Sequence, residues 1–253
     1  MSIKAIVVDL DRTLLRTDKS LSPYTISTLR ECKSRGIRIM VATARPLRTT
    51  VQFDKVVCFD AMTVSNGARV LCGNQRIEYG IRTESAHRVL QTLLGQKELK
   101  ITLETGDCAY SNMPIEDYET ILSNDLCKIA EREGALKILA HVDGGLNAIS
   151  SHLPDDLYFT VAHGYLLQIM SREATKWNGI QTMLKRSNLS AEEAVYFGDD
   201  QDDIEPLRHC GIGVSVANGI DEAKAAADYV TGSNDEDGVA KFIQRILLKN
   251  QGE

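Results

Sequence analysis

Short, almost wholly apolar runs recur along this chain, and several end abruptly in acidic or hydroxyl residues. Residues 3–8 lead straight into Asp9, Leu10, Asp11, Arg12 and Thr13. A brief run rich in β-branched residues and bounded by charge predicts a strand buried on both faces, as in a parallel sheet. Ser22 and Pro23 read as an N-cap and a first helical position; Ile26, Leu29 and Cys32 follow at helical spacing, and Gly36 stops the helix. Residues 37–43 form a second apolar run that ends in Thr43, Ala44, Arg45 and Pro46. Residues 56–59 and 62–64 predict one more short strand region. Asn66-Gly67 marks a turn, and 68–71 with 76–79 flank Gly73-Asn74 as a hairpin.

From about residue 81 to 163 the rhythm changes. The pattern predicts a helix over 85–94, strands over 99–104 and 108–111, a longer helix over 114–133, a strand over 136–141, a short helix, and strands over 158–161 and 166–170. Strand–helix alternation then returns: a helix over 175–186, a strand over 194–197, a short helix over 204–208, a strand over 212–216, a helix over 221–227, an edge strand at 229–230 and a closing helix over 239–248. The expected class is therefore α/β: a Rossmann-like, doubly wound parallel-sheet core (1–80 and 167–253) with an inserted α+β domain (81–166).

Composition narrows the function class. At 253 residues the chain has room for a core and a smaller second domain, and a net charge of -6 gives no basic footprint for nucleic acid. No apolar run approaches the ~18 residues of a membrane span, and no signal-peptide pattern opens the chain. The six cysteines are scattered without a CxxC pair, which argues against structural zinc and favours a reduced, cytoplasmic protein. The expected partner is a small molecule.

Candidate chemistry sits at the strand ends. In extended backbone Asp9 and Asp11 point the same way, and carboxylates held close repel unless a cation or proton relieves them. A second acidic loop, 199–203, also closes an apolar strand. Ligands of open α/β sheets bind outside the carboxyl ends of the strands, and oxygen-only ligands suit Mg²⁺. An isolated Asp-x-Asp is commonly a solvated turn; two acid clusters, each ending a strand, point to a metal site. With the cation between a phosphate ester and the protein, Asp9 is placed to attack phosphorus and Asp11 to move the proton. Thr43 is a phosphate ligand or a helix N-cap, Arg45 a phosphate grip or a surface ion pair. Lys176, near a helix start where a cation gains nothing from the dipole, is a ligand or a solvated side chain. Asn218-Gly219 is a substrate contact or a plain turn. Histidines 87, 141, 152, 163 and 209 show no ligand spacing; His87 and His209 read as helix-surface residues, and the other three lie in the insertion.

Together these motifs resemble the haloacid dehalogenase (HAD) superfamily, and more narrowly its Cof-type phosphatases, which carry an α/β cap between the second and third motifs. The family's Asp-x-Asp-x-Thr matches Asp9 to Thr13, its Ala-Thr-Ala-Arg matches Ala42 to Arg45, its lysine matches Lys176, and its Gly-Asp-x-x-Asn-Asp aligns on Gly198 to Asp203. The family's later asparagine falls on Asn218, and Asp237-Gly238-Val239 ends the likeness. The resemblance implies Asp9 as nucleophile, Asp11 as acid and base, Thr43 and Lys176 on the transferring phosphoryl group, and Mg²⁺ on Asp9, the Asp11 carbonyl and Asp199, with Asp203 supporting it. Asp200 and Asp202 depart from the usual serine and asparagine and make the loop more acidic. The expected activity is Mg²⁺-dependent hydrolysis of a small phosphomonoester, a sugar phosphate first, through an aspartyl phosphate. A phosphomutase of the same superfamily and a non-catalytic phospho-acceptor are the alternatives.

Overall fold

The structure, a computed structural model, describes residues 3–96, 98–142, 153–162 and 164–248, with side chains to residue 245. It opens with β1 (Ala5–Val8), every residue fully enclosed. Then come α1 (Pro23–Ser34), whose N-cap Ser22 accepts a hydrogen bond from the Thr25 amide at 3.0 Å, β2 (Arg38–Ala42) and α2 (Leu47–Val57). Next are β3 (Ala61–Val64), β4 (Arg69–Cys72) and β5 (Gln75–Glu78). The insertion supplies α3 (Thr83–Leu94), β6 (Ile101–Glu104), β7 (Ala109–Ser111), β8 (Ile121–Leu122), α4 (Leu126–Glu133), β9 (Lys137–His141), β10 (Leu157–Ala162) and β11 (Leu166–Ser171). The chain ends with α5 (Lys176–Arg186), β12 (Ala194–Gly198), α6 (Ile204–His209), β13 (Ile212–Val216), α7 (Asp221–Ala226), β14 (Tyr229–Thr231) and α8 (Gly238–Phe242), which runs on into a wider turn, Ile243–Leu248.

Contacts divide the chain into two compact units. The first comprises Met1–Arg45, Thr49–Ile77 and Thr175–Glu253. Its sheet runs β14-β13-β12-β1-β2-β3-β4-β5, parallel from β14 to β3. From β1 the chain winds outward through β2 and β3 on one side and, later, through β12, β13 and β14 on the other. The reversal lies between β1 and β12, where open α/β sheets place their ligand crevice. Ile6, Val8, Ile39, Val41, Val195, Phe197 and Val214 fill the core under α1, α2 and α8.

The second unit comprises Pro46–Arg48 and Glu78–Ala174 and carries a mixed sheet in the order β10-β11-β9-β6-β7-β8. Alternate residues Ile101, Leu103, Ile138, Ala140, Leu167 and Ile169 form one apolar face with Val89, Leu90 and Leu93 of α3 and Ile129 of α4. The division at 174/175 falls later than the expected 166/167, because β11 pairs with β9 and β10 in this sheet.

Other expectations also change. The helix expected over 114–133 is only α4, capped by Asp125, which accepts from the Lys128 amide at 3.1 Å. Ahead of it the chain follows an irregular, bent course tied down by side chains: the Tyr118 hydroxyl donates to Thr102 Oγ1 at 3.0 Å, and its ring stacks on His141. Of the strand expected at 56–59, residues 56 and 57 instead end α2, whose buried residues Thr50, Phe53 and Val57 follow helical spacing, and 58–59 are loop. The short helix expected between 141 and 158, and His152 and His163, lie outside the described residues. Among the described residues no helix is long and apolar enough to cross a membrane. All six cysteines are free thiols.

Candidate active site

The ends of β1 and β12 lie side by side, joined by the Asp9 amide donating to the Phe197 carbonyl at 3.0 Å. Register therefore carries Asp9 and Asp199 out of the sheet together. Lys176, first residue of α5, brings its ammonium to the same point. Its Nζ donates to Asp9 Oδ1 at 2.8 Å and Asp203 Oδ1 at 2.7 Å, and lies 3.1 Å from Asp202 Oδ1. The residue is 4% exposed, so the solvated reading of this lysine is overturned.

Asp203 is the loop's anchor. The Tyr196 hydroxyl donates to its Oδ1 at 2.5 Å, and the amides of Asp199 and Asp200 donate to Oδ2 at 2.8 and 3.0 Å. Gly198 makes this turn possible: a Cβ there would sit 2.5 Å from the Asp203 Cβ. Thr13 Oγ1 donates to Asp199 Oδ1 at 2.7 Å, tying the first acidic loop to the second. Ligand oxygens of Asp9, Asp199 and Asp203, all buried, lie within 4.8 Å of one another.

Charge in this cluster is only partly balanced. Burial pushes the Asp9 carboxyl well up, against the pull of Lys176, and the neighbouring carboxylates add to the rise. Burial likewise pushes Asp199 up to about 6. Burial alone would lower the Lys176 ammonium, but Asp202, Asp203 and Asp9 together raise it well above its ordinary value. An excess of buried carboxylate oxygens over cations is what a hard divalent ion relieves. The donor set fits Mg²⁺: Asp9 and Asp199 would hold it. Asp203, with both oxygens already hydrogen-bonded, fits a supporting position better than a direct ligand.

Asp11 stands apart from that cluster. Arg45 donates from Nε to its Oδ2 at 2.6 Å and from Nη2 to its Oδ1 at 2.7 Å, and Lys19 Nζ reaches Oδ1 at 2.7 Å. Burial would raise this carboxyl, but these donors outweigh it and hold it down to about 2. Thr43, at the end of β2 and 1% exposed, accepts from the Arg45 amide at 3.2 Å. Asn218 is a loop clamp: Nδ2 donates to the Arg12 carbonyl at 2.7 Å, and Oδ1 accepts from the Asn234 amide at 2.9 Å.

The cluster thus gathers Asp9, Lys176, Asp199 and Asp203, while Arg45 turns to Asp11 and Asn218 to backbone. Tyr196, Asn66 and Lys19 were not among the expected residues. A tyrosine inside the otherwise apolar run 194–197 was a signal for a buried hydroxyl seeking a partner. Asn66 read only as a turn, yet its Nδ2 donates to Asp202 Oδ2 at 2.8 Å. His87 and His209 lie on helix surfaces beside Glu131 and Glu205.

Comparison with known proteins bears on this arrangement. The family model for haloacid dehalogenase-like hydrolases matches residues 6–243. A Bacillus subtilis 5-amino-6-(5-phospho-D-ribitylamino)uracil phosphatase is 26% identical over 96% of this chain and 97% of its own. An Escherichia coli phosphatase of the same name is also 26% identical, over 98% and 97%. The crystal structure of a haloacid dehalogenase-like hydrolase from Bacteroides thetaiotaomicron superposes with a TM-score of 0.87 at 25% identity, covering 97% of this chain and 100% of that one. The chain belongs to the haloacid dehalogenase-like hydrolases, and within them to the Cof-type phosphatases that its acid motifs resemble.

Proposed function

We propose that this chain is a Mg²⁺-dependent phosphomonoester hydrolase acting on a small phosphorylated metabolite through an aspartyl phosphate on Asp9. The observation that carries this reading is the meeting of Asp9, Asp199 and Asp203 at two adjacent strand ends, with the Lys176 ammonium bonded to Asp9 and Asp203. When bound, Mg²⁺ supplies positive charge that lets a carboxylate approach an anionic ester. Asp9 then attacks phosphorus, and the bond from phosphorus to the leaving oxygen breaks. Asp11 gives that oxygen its proton and later takes one from the water that attacks the acyl phosphate, releasing inorganic phosphate and restoring Asp9. Lys176 and the Thr43 hydroxyl neutralise and orient the phosphoryl oxygens.

Arg45 links binding to this sequence. While it grips Asp11, that carboxyl is an acceptor and not a donor. The ester's phosphate is a second anion suited to the same bidentate fork. In this reading substrate draws Arg45 away, and Asp11 is freed to carry the proton. Asn218 acts indirectly, fixing the Arg12 carbonyl and hence the first acidic loop. The two relatives are named for a phosphorylated ribitylamino compound, which puts a polyhydroxylated leaving group first among candidate esters.

Phosphate release is measured from sugar, alditol and nucleotide monoesters and from the phosphoribitylaminouracil, with Mg²⁺ or with chelator, for wild type and Asp9→Asn. The reading expects release that needs the metal and is lost in the variant. Turnover that survives in Asp9→Asn, or in chelator, overturns it.

A further inference from the structure

Arg12 holds a backbone conformation that arginine ordinarily avoids. Its φ is +59°, in the left-handed region that favours glycine. Its side chain is 60% exposed, so burial does not offset the strain. Strained backbone persists where the surroundings over-determine it, and it clusters at functional sites.

What the side chain reaches is Asp199. Thr13 Oγ1 donates to Asp199 Oδ1 at 2.7 Å, which leaves Oδ2 without a hydrogen-bond donor among the described residues. Arg12 Nε lies 3.7 Å from that Oδ2, close enough for an ion pair and too far for a hydrogen bond. The guanidinium does not hang free. Its Nη2 donates to the Asn218 carbonyl at 3.1 Å, and Asn218 Nδ2 donates back to the Arg12 carbonyl at 2.7 Å. The Asn234 amide fixes Asn218 in turn, donating to its Oδ1 at 2.9 Å. All of these residues belong to the first unit.

Oδ2 is therefore the Asp199 oxygen left for a metal ion, and a cation of the chain already stands beside it. A divalent ion taking Oδ2 must share it with the guanidinium or push the guanidinium off. Sharing brings like charges together, and pushing off breaks the ion pair with Asp199. An untethered arginine would swing aside at little cost. The bonds to Asn218 make Arg12 harder to move.

We propose that Arg12 is the counter-ion of Asp199 in the metal-free protein and competes with Mg²⁺ for Asp199 Oδ2, which holds the affinity for the ion below what the carboxylates alone would give. The proposal rests on the Mg²⁺ reading above and deepens it. Arg12 is not a ligand in this account; it sets how much Mg²⁺ the site needs.

The test is calorimetric titration of chelator-treated protein with Mg²⁺ for wild type, Arg12→Gly, Arg12→Asn and Arg12→Lys, at low salt and at about 0.5 M monovalent salt. Glycine and asparagine accept the left-handed backbone without the charge; lysine keeps the charge. The dissociation constant is expected to fall about three- to tenfold in both neutral variants, to stay nearer wild type in Arg12→Lys, and to differ less between variants as salt rises. Urea unfolding of each variant confirms that it is folded. Neutral variants that bind Mg²⁺ within about twofold of wild type, or more weakly, overturn the proposal. Equal tightening in Arg12→Lys overturns it too, because charge is then not the cause. Absence of saturable Mg²⁺ binding by wild type overturns the Mg²⁺ reading instead, so the two failures are distinguishable.

Discussion

Arg45 holds both carboxylate oxygens of Asp11, at 2.6 and 2.7 Å, in a fork only a guanidinium can make. The arginine side chain is 19% exposed and the aspartate 36%, so the pair sits at the lip of the crevice. The amide of the same arginine bonds Thr43 Oγ1, and its ring contact is Phe53 of α2. One residue therefore positions the acid–base candidate and the end of β2 and packs on the middle of the next helix.

Arg45→Ala removes both bonds to Asp11 and is expected to lower kcat/KM for phosphate release by about 100-fold, near the upper range for a charged hydrogen-bonding partner. Arg45→Lys keeps the charge without the fork and is expected to recover less than half of that loss on a logarithmic scale. Steady-state phosphate release on one good ester checks both. Full activity in Arg45→Lys would mean that charge alone suffices.

Lys176→Met leaves Asp9, Asp202 and Asp203 facing one another with no cation from the chain. Breaking a buried ion cluster from one side typically destabilises by about 3–5 kcal/mol. Mg²⁺ should return part of that, because a ligand bound only by the folded state stabilises it. Urea midpoints in Mg²⁺ and in chelator are the measurement. The metal should raise the midpoint of Lys176→Met more than that of wild type; equal shifts would contradict the charge argument.

Much of this was legible in the sequence because it is local. Buried parallel strands advertise themselves as unbroken apolar runs, so β1, β2, β12 and β13 and the acids that close them stand out. What was not legible depends on partners far along the chain. Residues 114–122 carry helical-looking spacing, but Tyr118 finds Thr102 and His141, and Ser111 Oγ meets Thr120 Oγ1 at 2.7 Å, so tertiary bonds hold the segment out of a helix. Arg45 and Asn218 each keep two readings in the sequence because it does not reveal that Asp11 and the Arg12 carbonyl lie within their reach. Lys176 was ambiguous for the same reason: its burial comes from residues 167 positions before it and 27 after it.

Gly67 follows Ser65 and Asn66, which also have positive φ, and its own φ is +96°. A Cβ there would lie 2.0 Å from the Thr175 carbonyl oxygen, and Thr175 caps the helix that begins with Lys176. Gly67→Ala therefore combines backbone strain with a clash against rigid backbone, and a loss of about 2–4 kcal/mol in unfolding free energy is expected. Activity should fall as well, since the clash displaces Lys176. Urea unfolding and phosphate release check the two effects; a stable but inactive variant would show that the strain is absorbed at the lysine.

Asp237, itself at φ +57°, ties the closing loop back to the start of the chain. Its oxygens accept from Arg16 Nε at 3.2 Å and Nη2 at 2.7 Å, and from Thr25 Oγ1 at 3.3 Å. Burial would raise this carboxyl, but the bonds from Arg16, with those from neighbouring hydroxyls, bring it below its ordinary 3.8. A carboxyl lowered by folding contributes stability that is complete above the unfolded value and is lost as pH falls through the folded one. Asp237→Asn should therefore cost about 1–2 kcal/mol at neutral pH. The difference from wild type should hold from about pH 7 to pH 5 and shrink below about pH 4, where the wild-type carboxyl also takes up its proton. Urea unfolding of both proteins across that range is the check. A difference that stayed constant into acid would assign the effect to packing, and one that grew would reverse the sign of the Arg16 interaction.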